Sequence, residues 1–124
     1  MNQEELIKEL QVVCNMFSDI LGTVILFGSY SRNEASAGSD IDLYVEPKEA
    51  SLTTAKFGMN KRYKEFKYTL YDRFPAQFDI LSYGGKKDIS TIKRSPLWKQ
   101  IEKDGIIIYD KRAKAVLNSN KSRP

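Results

Sequence analysis

Apolar side chains recur at helical spacing from about Gln3 to Ile20, with Leu6, Leu10, Val13 and Phe17 on one stripe and Glu4 and Glu5 in the first turn, where the helix dipole favours negative charge. Gly22 is expected to end this helix. Thr23 to Phe27 is a short apolar run rich in β-branched residues, the pattern of a strand covered on both faces. Ser31 to Ser39 is small, polar and glycine-containing, which predicts a loop, or a short helix followed by a turn. Asp40 to Glu46 reads as a second strand stopped by Pro47. From about Thr53 to Phe74 helical spacing returns, with Tyr63, Phe66, Leu70 and Phe74 on one side and Gly58 leaving the start open. Gln77 to Leu81 reads as a third strand, broken by Gly84-Gly85. Ser95-Pro96 supplies an N-cap and a proline at the first helical position, Leu97, Trp98 and Ile101 give that helix its packing face, and Gly105 stops it. Ile106 to Tyr109 is a last strand. The order predicts an α/β domain built on a small mixed β-sheet flanked by helices.

Composition narrows the chemistry. A chain of 124 residues makes one compact core, placed here at residues 1–110, followed by a basic tail at 111–124 expected to be disordered or ordered only against a partner. No apolar run approaches the ~20 residues of a bilayer span and nothing reads as a signal peptide, so a cytoplasmic protein with no membrane partner is expected. The lone Cys14 falls on the buried stripe and reads as core rather than as a reactive thiol. With no histidine, a Ser-His-Asp triad, a Cys-His pair and a His-Glu-x-x-His zinc site are all impossible. Any catalysis must run on carboxylates, cations and metal. A net charge of +4 suits an anionic ligand, and a nucleotide satisfies it. The basic residues among the aromatics of 61–73 are read more simply as the solvated face of an amphipathic helix, so no direct nucleic-acid binding is expected.

The informative window is LFGSYSRNEASAGSDIDLYVE, Leu26 to Glu46. Side chains alternate along a strand, so Asp40 and Asp42 share one side while Ile41 and Leu43 take the other. Two carboxylates that close call for a compensating cation, and magnesium held by one or two carboxylates plus substrate phosphates supplies it. Asp79, between Phe78 and Ile80 in another strand, completes a triad if the strands are neighbours, as a further metal ligand and a base or relay for an attacking hydroxyl. Gly28-Ser29 leaves the first strand where backbone N–H groups can cradle phosphate, and Arg32 is placed to reach the same phosphates. Taken singly, each feature has an ordinary reading: a turn, an exposed sheet edge, a surface acid. Their conjunction favours a site.

The window resembles the signature of the DNA polymerase β-type nucleotidyltransferase superfamily, and specifically its minimal nucleotidyltransferase (MNT) domains: a Gly-Ser, an Arg-Gly two residues on, then Ser-Asp-(Ile/Leu/Val)-Asp-Leu. Gly28, Ser29, Arg32, Ser39, Asp40, Ile41, Asp42 and Leu43 match position by position. Asp79 falls where that family places its third carboxylate, and IEKDGIIIY, Ile101 to Tyr109, is similar as well. Asn33 departs from the pattern by standing where the family usually has glycine, although asparagine tolerates positive φ better than other non-glycine residues.

The resemblance implies transfer of AMP from ATP to an acceptor hydroxyl with release of pyrophosphate. It implies Asp40, Asp42 and Asp79 as catalytic and metal-binding residues for Mg²⁺, two ions in all, and Gly28, Ser29, Arg32 and Ser39 as nucleotide-binding residues. Stand-alone domains of this kind resemble the antitoxin of HEPN/MNT toxin–antitoxin pairs, in which a tyrosine of the HEPN ribonuclease partner is adenylylated. Two alternatives stay open: nucleotidylation of a small molecule such as an aminoglycoside, and a non-catalytic module that blocks a partner by occlusion.

Overall fold

The computed structural model describes residues 1–112, and the expected tail beyond Arg112 lies outside them. The elements follow as α1 (Gln3–Met16), β1 (Leu21–Phe27), β2 (Ile41–Pro47), α2 (Thr54–Met59), α3 (Lys61–Arg73), β3 (Phe78–Ser82), α4 (Lys86–Lys93), α5 (Pro96–Asp104) and β4 (Ile106–Asp110). The strands form one sheet in the order β3-β2-β1-β4. β1 is antiparallel to both neighbours, and β2 and β3 run parallel. The sheet is mixed, as the sequence predicts.

Alternation along β2 divides the molecule into two apolar layers. Ile41, Leu43 and Val45 join Leu6, Leu10, Val13 and Cys14 of α1, Phe57 of α2, and Tyr63, Phe66 and Leu70 of α3 in the larger core. Tyr44 faces the other way, packing with Ile25, Ile92 of α4 and Ile101 of α5, and Trp98 lies edge-on to its ring at 4.9 Å. Burial pushes the Cys14 thiol up to about 12, so it stays protonated and inert.

Three expectations about the helices are corrected. α1 ends at Met16 rather than Ile20: the Phe17 N–H closes on Cys14 O, a tight turn follows, and Gly22 lies inside β1, where Leu21 already pairs with Pro47. The span read as one helix from 53 to 74 is two. Asn60, at φ −64° and ψ 128°, leaves the helical region, and its Oδ1 accepts from the Tyr63 N–H at 2.9 Å. It therefore ends α2 and caps α3, the behaviour that makes asparagine a good N-cap. α4 was not anticipated, because Gly84-Gly85 reads as a break and Lys86–Lys93 is polar, with only Ile92 buried. In α5, Trp98 and Ile101 pack as expected while Leu97 is 37% exposed.

The basic face of α3 also has a structural role. Arg62 lies over the Phe17 ring at 4.3 Å and bonds Asp19, Glu65 and the Met16 carbonyl, tying α3 to the end of α1. The α2–α3 junction yields a direct test. Asn60→Ala removes one cap and is expected to cost about 1 kcal/mol in urea unfolding, with an unchanged m-value.

Candidate active site

Register decides what the site contains. Phe27 of β1 pairs with Asp42 of β2, and Asp42 pairs with Asp79 of β3, so the three side chains form a row on one sheet face. The next row, Ile25, Tyr44 and Leu81, lies beneath α4 and α5. The Asp42 row extends past that cover, leaving Asp42 half-buried and Asp79 exposed. Neighbouring strands stand about 4.8 Å apart, which brings the Asp42 and Asp79 carboxylates into strong mutual repulsion. Asp40 lies one residue before β2 and is exposed.

Burial raises the Asp42 pKa above the ordinary aspartate range, the negative charges of Asp79 and Asp40 raise it further, and Arg32 opposes them. All three predicted carboxylates therefore share one electrostatic space. Among the described residues, none of the three carboxylates makes an ion pair or a hydrogen bond. Nor, among the described residues, do three acidic, histidine or cysteine side chains gather closely enough to hold a metal unaided. That open arrangement fits Mg²⁺, which takes one or two carboxylates and completes its shell with water and substrate phosphates.

The turn after β1 is built against these acids. Gly28 has φ +76°, and a Cβ there would run into the Asp42 carboxylate, so only glycine allows the turn and the acid to be this close. The Ser31, Arg32 and Glu34 N–H groups bond back to Gly28 O and Ser29 O, and the Ser31 hydroxyl donates to Gly28 O at 2.7 Å. Asn33 occupies the left-handed region at φ 57°, so the turn keeps the backbone that glycine would give. Among the described residues the Ser29 and Tyr30 N–H groups and the Ser29 hydroxyl donate to nothing. Unused donors on a glycine turn beside Arg32 are suited to phosphate oxygens.

Arg32 meets Glu34 at 3.4 Å and Asp104 at 3.8 Å. Partly exposed pairs of this kind are worth about 0–1 kcal/mol, so a triphosphate can displace them. Ser39 acts locally, its Oγ accepting the Ser36 N–H at 2.9 Å and closing the loop that leads into Asp40. Sequence reasoning missed two supports. Gln3 donates through Nε2 to the Tyr30 and Ser31 carbonyls at 2.9 and 3.0 Å, clamping the turn from α1. Asp104, at the end of α5, holds Arg32 from the far side. Neither contact leaves a local pattern that could have revealed it.

A glycine turn with free donors and an adjacent arginine thus stands beside unpaired carboxylates on and next to neighbouring strands. The model of the polymerase beta nucleotidyltransferase family matches residues 8–114, and the chain belongs to that family. No curated protein is similar in sequence. Among solved structures, a chain of a toxin–antitoxin complex with AMP-PNP aligns over 98% of this chain and 83% of its own, at 18% identity and TM-score 0.54. A chain of the tri-AMPylated Shewanella oneidensis HEPN toxin in complex with MNT antitoxin aligns over 93% and 78%, at 20% identity and TM-score 0.54. At these identities the likeness is one of fold.

Two substitutions test the geometry. An acid whose pKa is raised by folding loses stability as pH rises through its folded value. Asp42→Asn removes that penalty, so the variant is expected to melt higher than wild type at neutral pH, the gap narrowing as pH falls toward about 4 in thermal unfolding. Gly28→Ala forces a side chain into a left-handed backbone against Asp42. It is expected to cost about 1–3 kcal/mol in chemical unfolding and to weaken Mg²⁺-dependent nucleotide affinity in calorimetry.

Proposed function

We propose that this chain transfers AMP from ATP to a hydroxyl on a partner protein, and that it is the antitoxin half of a HEPN/MNT pair, acting on a tyrosine of the toxin. The observation that carries the reading is the in-register pair Asp42 and Asp79, without hydrogen-bond or ion-pair partners among the described residues, with Gly28 packed against Asp42. Asp40, Asp42 and Asp79 would hold Mg²⁺, which when bound supplies positive charge to neutralise the triphosphate and the acceptor oxygen. Gly28, Ser29 and Arg32 would bind and orient the phosphates, and Ser39 would set the loop that presents Asp40.

The transfer balances simply. The acceptor oxygen forms a bond to the α-phosphorus, the bond from that phosphorus to the bridging oxygen of the β-phosphate breaks, and pyrophosphate leaves with the electron pair. Asp79, the exposed member of the pair, would take the acceptor's proton. A toxin–antitoxin structure with AMP-PNP and an AMPylated HEPN toxin in complex with MNT antitoxin, each with a chain of similar fold, favour ATP and a protein acceptor. Exposed Val12 and Met16 on α1, with Tyr68 and Tyr71 on α3, offer apolar surface to a partner. No described helix is long and apolar enough to cross a membrane, and a cytoplasmic setting goes with the reading.

The test incubates the protein with α-labelled ATP, Mg²⁺ and the protein encoded beside it. Label is expected on that protein with wild type, and only background with the double variant Asp40→Asn/Asp42→Asn. Protection of cells by both versions without label would replace the reading with inhibition by occlusion.

A further inference from the structure

The free N–H groups of Ser29 and Tyr30 take their direction from the carbonyls of the same peptides. In a trans peptide the N–H and C=O point opposite ways, and no described peptide bond is cis. Gly28 O accepts the Ser31 N–H at 3.1 Å, the Arg32 N–H at 3.3 Å and the Ser31 hydroxyl at 2.7 Å, while Ser29 O accepts the Glu34 N–H at 2.9 Å. Both carbonyls are drawn into the turn, which sends the Ser29 and Tyr30 N–H groups outward. The Ser31 and Arg32 amides that grip Gly28 O belong to the peptides whose carbonyls, Tyr30 O and Ser31 O, accept from Gln3 Nε2. Gln3 therefore holds from outside the two peptides that grip Gly28 O from within. Among the described residues no other hydrogen bond or ion pair joins α1 to residues 28–34. Tyr30 reaches the larger core, but Met1, Leu6 and Tyr30 also line a cavity of about 530 Å³ on the Ile41 face of the sheet. With that space open, the position of the turn against α1 depends on the Gln3 amide.

We infer that Gln3 is a positioning residue for the phosphate site: through the peptides of Ser31 and Arg32 its amide keeps the Ser29 and Tyr30 N–H groups aimed outward at phosphate oxygen. The inference rests on the nucleotidyl-transfer reading and adds to it a residue of α1 that touches no substrate. Donors already aimed at an anion act without reorganising when it arrives. Without the clamp these peptides are free to rotate, and part of the binding energy goes into restoring their direction. The same clamp fixes the backbone from which the Arg32 side chain departs. An amide suits the task, because its two N–H groups satisfy two carbonyls and add no charge beside the acids.

The test compares wild type with Gln3→Met, which keeps the length and helix propensity of glutamine but has no donor. A non-hydrolysable ATP analogue with Mg²⁺, titrated into ¹⁵N-labelled full chain, is expected to shift the Ser29 and Tyr30 amides of wild type. In Gln3→Met those shifts shrink and the affinity falls about fivefold, the worth of one such hydrogen bond. Without nucleotide, the Ser31 and Arg32 amides of the variant exchange with solvent faster than those of wild type. Val13→Ala separates positioning from stability: it removes core packing farther along α1, so it lowers the melting temperature and leaves affinity and shifts at wild-type values. Gln3→Leu takes the place of the first variant should that not fold. Undiminished shifts and affinity in the Gln3 variant, or an equal loss in Val13→Ala, would overturn the positioning role while leaving nucleotide binding intact. Failure of the nucleotide to shift Ser29 in wild type would instead remove the parent reading, and this one with it.

Discussion

Two unpaired aspartates held in register on neighbouring strands, Asp42 and Asp79, with the charge of Asp40 acting on Asp42, are the constraint around which the rest of this molecule is arranged. Left to solution electrostatics, Asp42 and Asp79 would move apart, and burial makes the charged form of Asp42 still less favourable. The sheet does not permit that relaxation. Both residues lie within strands whose neighbours, Ile41, Leu43 and Ile80, are packed in or against the larger core, so the repulsion is imposed by apolar burial elsewhere. A divalent cation shared with phosphate would remove that repulsion.

The turn after β1 and the two layers of helices serve that same arrangement. α4 and α5 cover the row of Ile25, Tyr44 and Leu81, Phe27 packs at the edge of that cover, and Asp42 is left half-buried with Asp79 exposed. α1 packs on the opposite face and reaches back through Gln3 to fix the turn that carries Gly28 and Ser29. Arg32 is held between Glu34 and Asp104 by contacts weak enough to exchange. The free donors of the turn are thereby set beside the carboxylates, with Gly28 against Asp42.

Much of this was legible in the residues because it depends on local pattern. Alternation around Ile41 and Leu43 put Asp42 on the face opposite the larger core, and the apolar run Thr23–Phe27 identified a strand paired on both sides. The positive φ at Asn33 is what the glycine-like position called for. What escaped was set by packing across the chain. Asn60 looks like one polar residue in a long amphipathic run until its side chain is seen capping Tyr63. α4 has too few apolar positions to announce itself and is fixed by its contacts, including Asp88 with the Thr54 hydroxyl at 2.7 Å. Gln3 and Asp104 act through partners 27 or more residues away, which no periodicity encodes.

The central claim is that Asp40, Asp42 and Asp79 take up a divalent ion together with nucleotide at the Gly28 turn. Substituting Mn²⁺ for Mg²⁺ and following paramagnetic broadening of backbone amides measures this without reference to turnover. The account predicts that, with ATP present, the amides of Gly28, Ser29, Asp42 and Asp79 broaden beyond detection at low Mn²⁺ while those of α3 stay sharp. Broadening centred elsewhere on the chain, or none at these four positions, would contradict it.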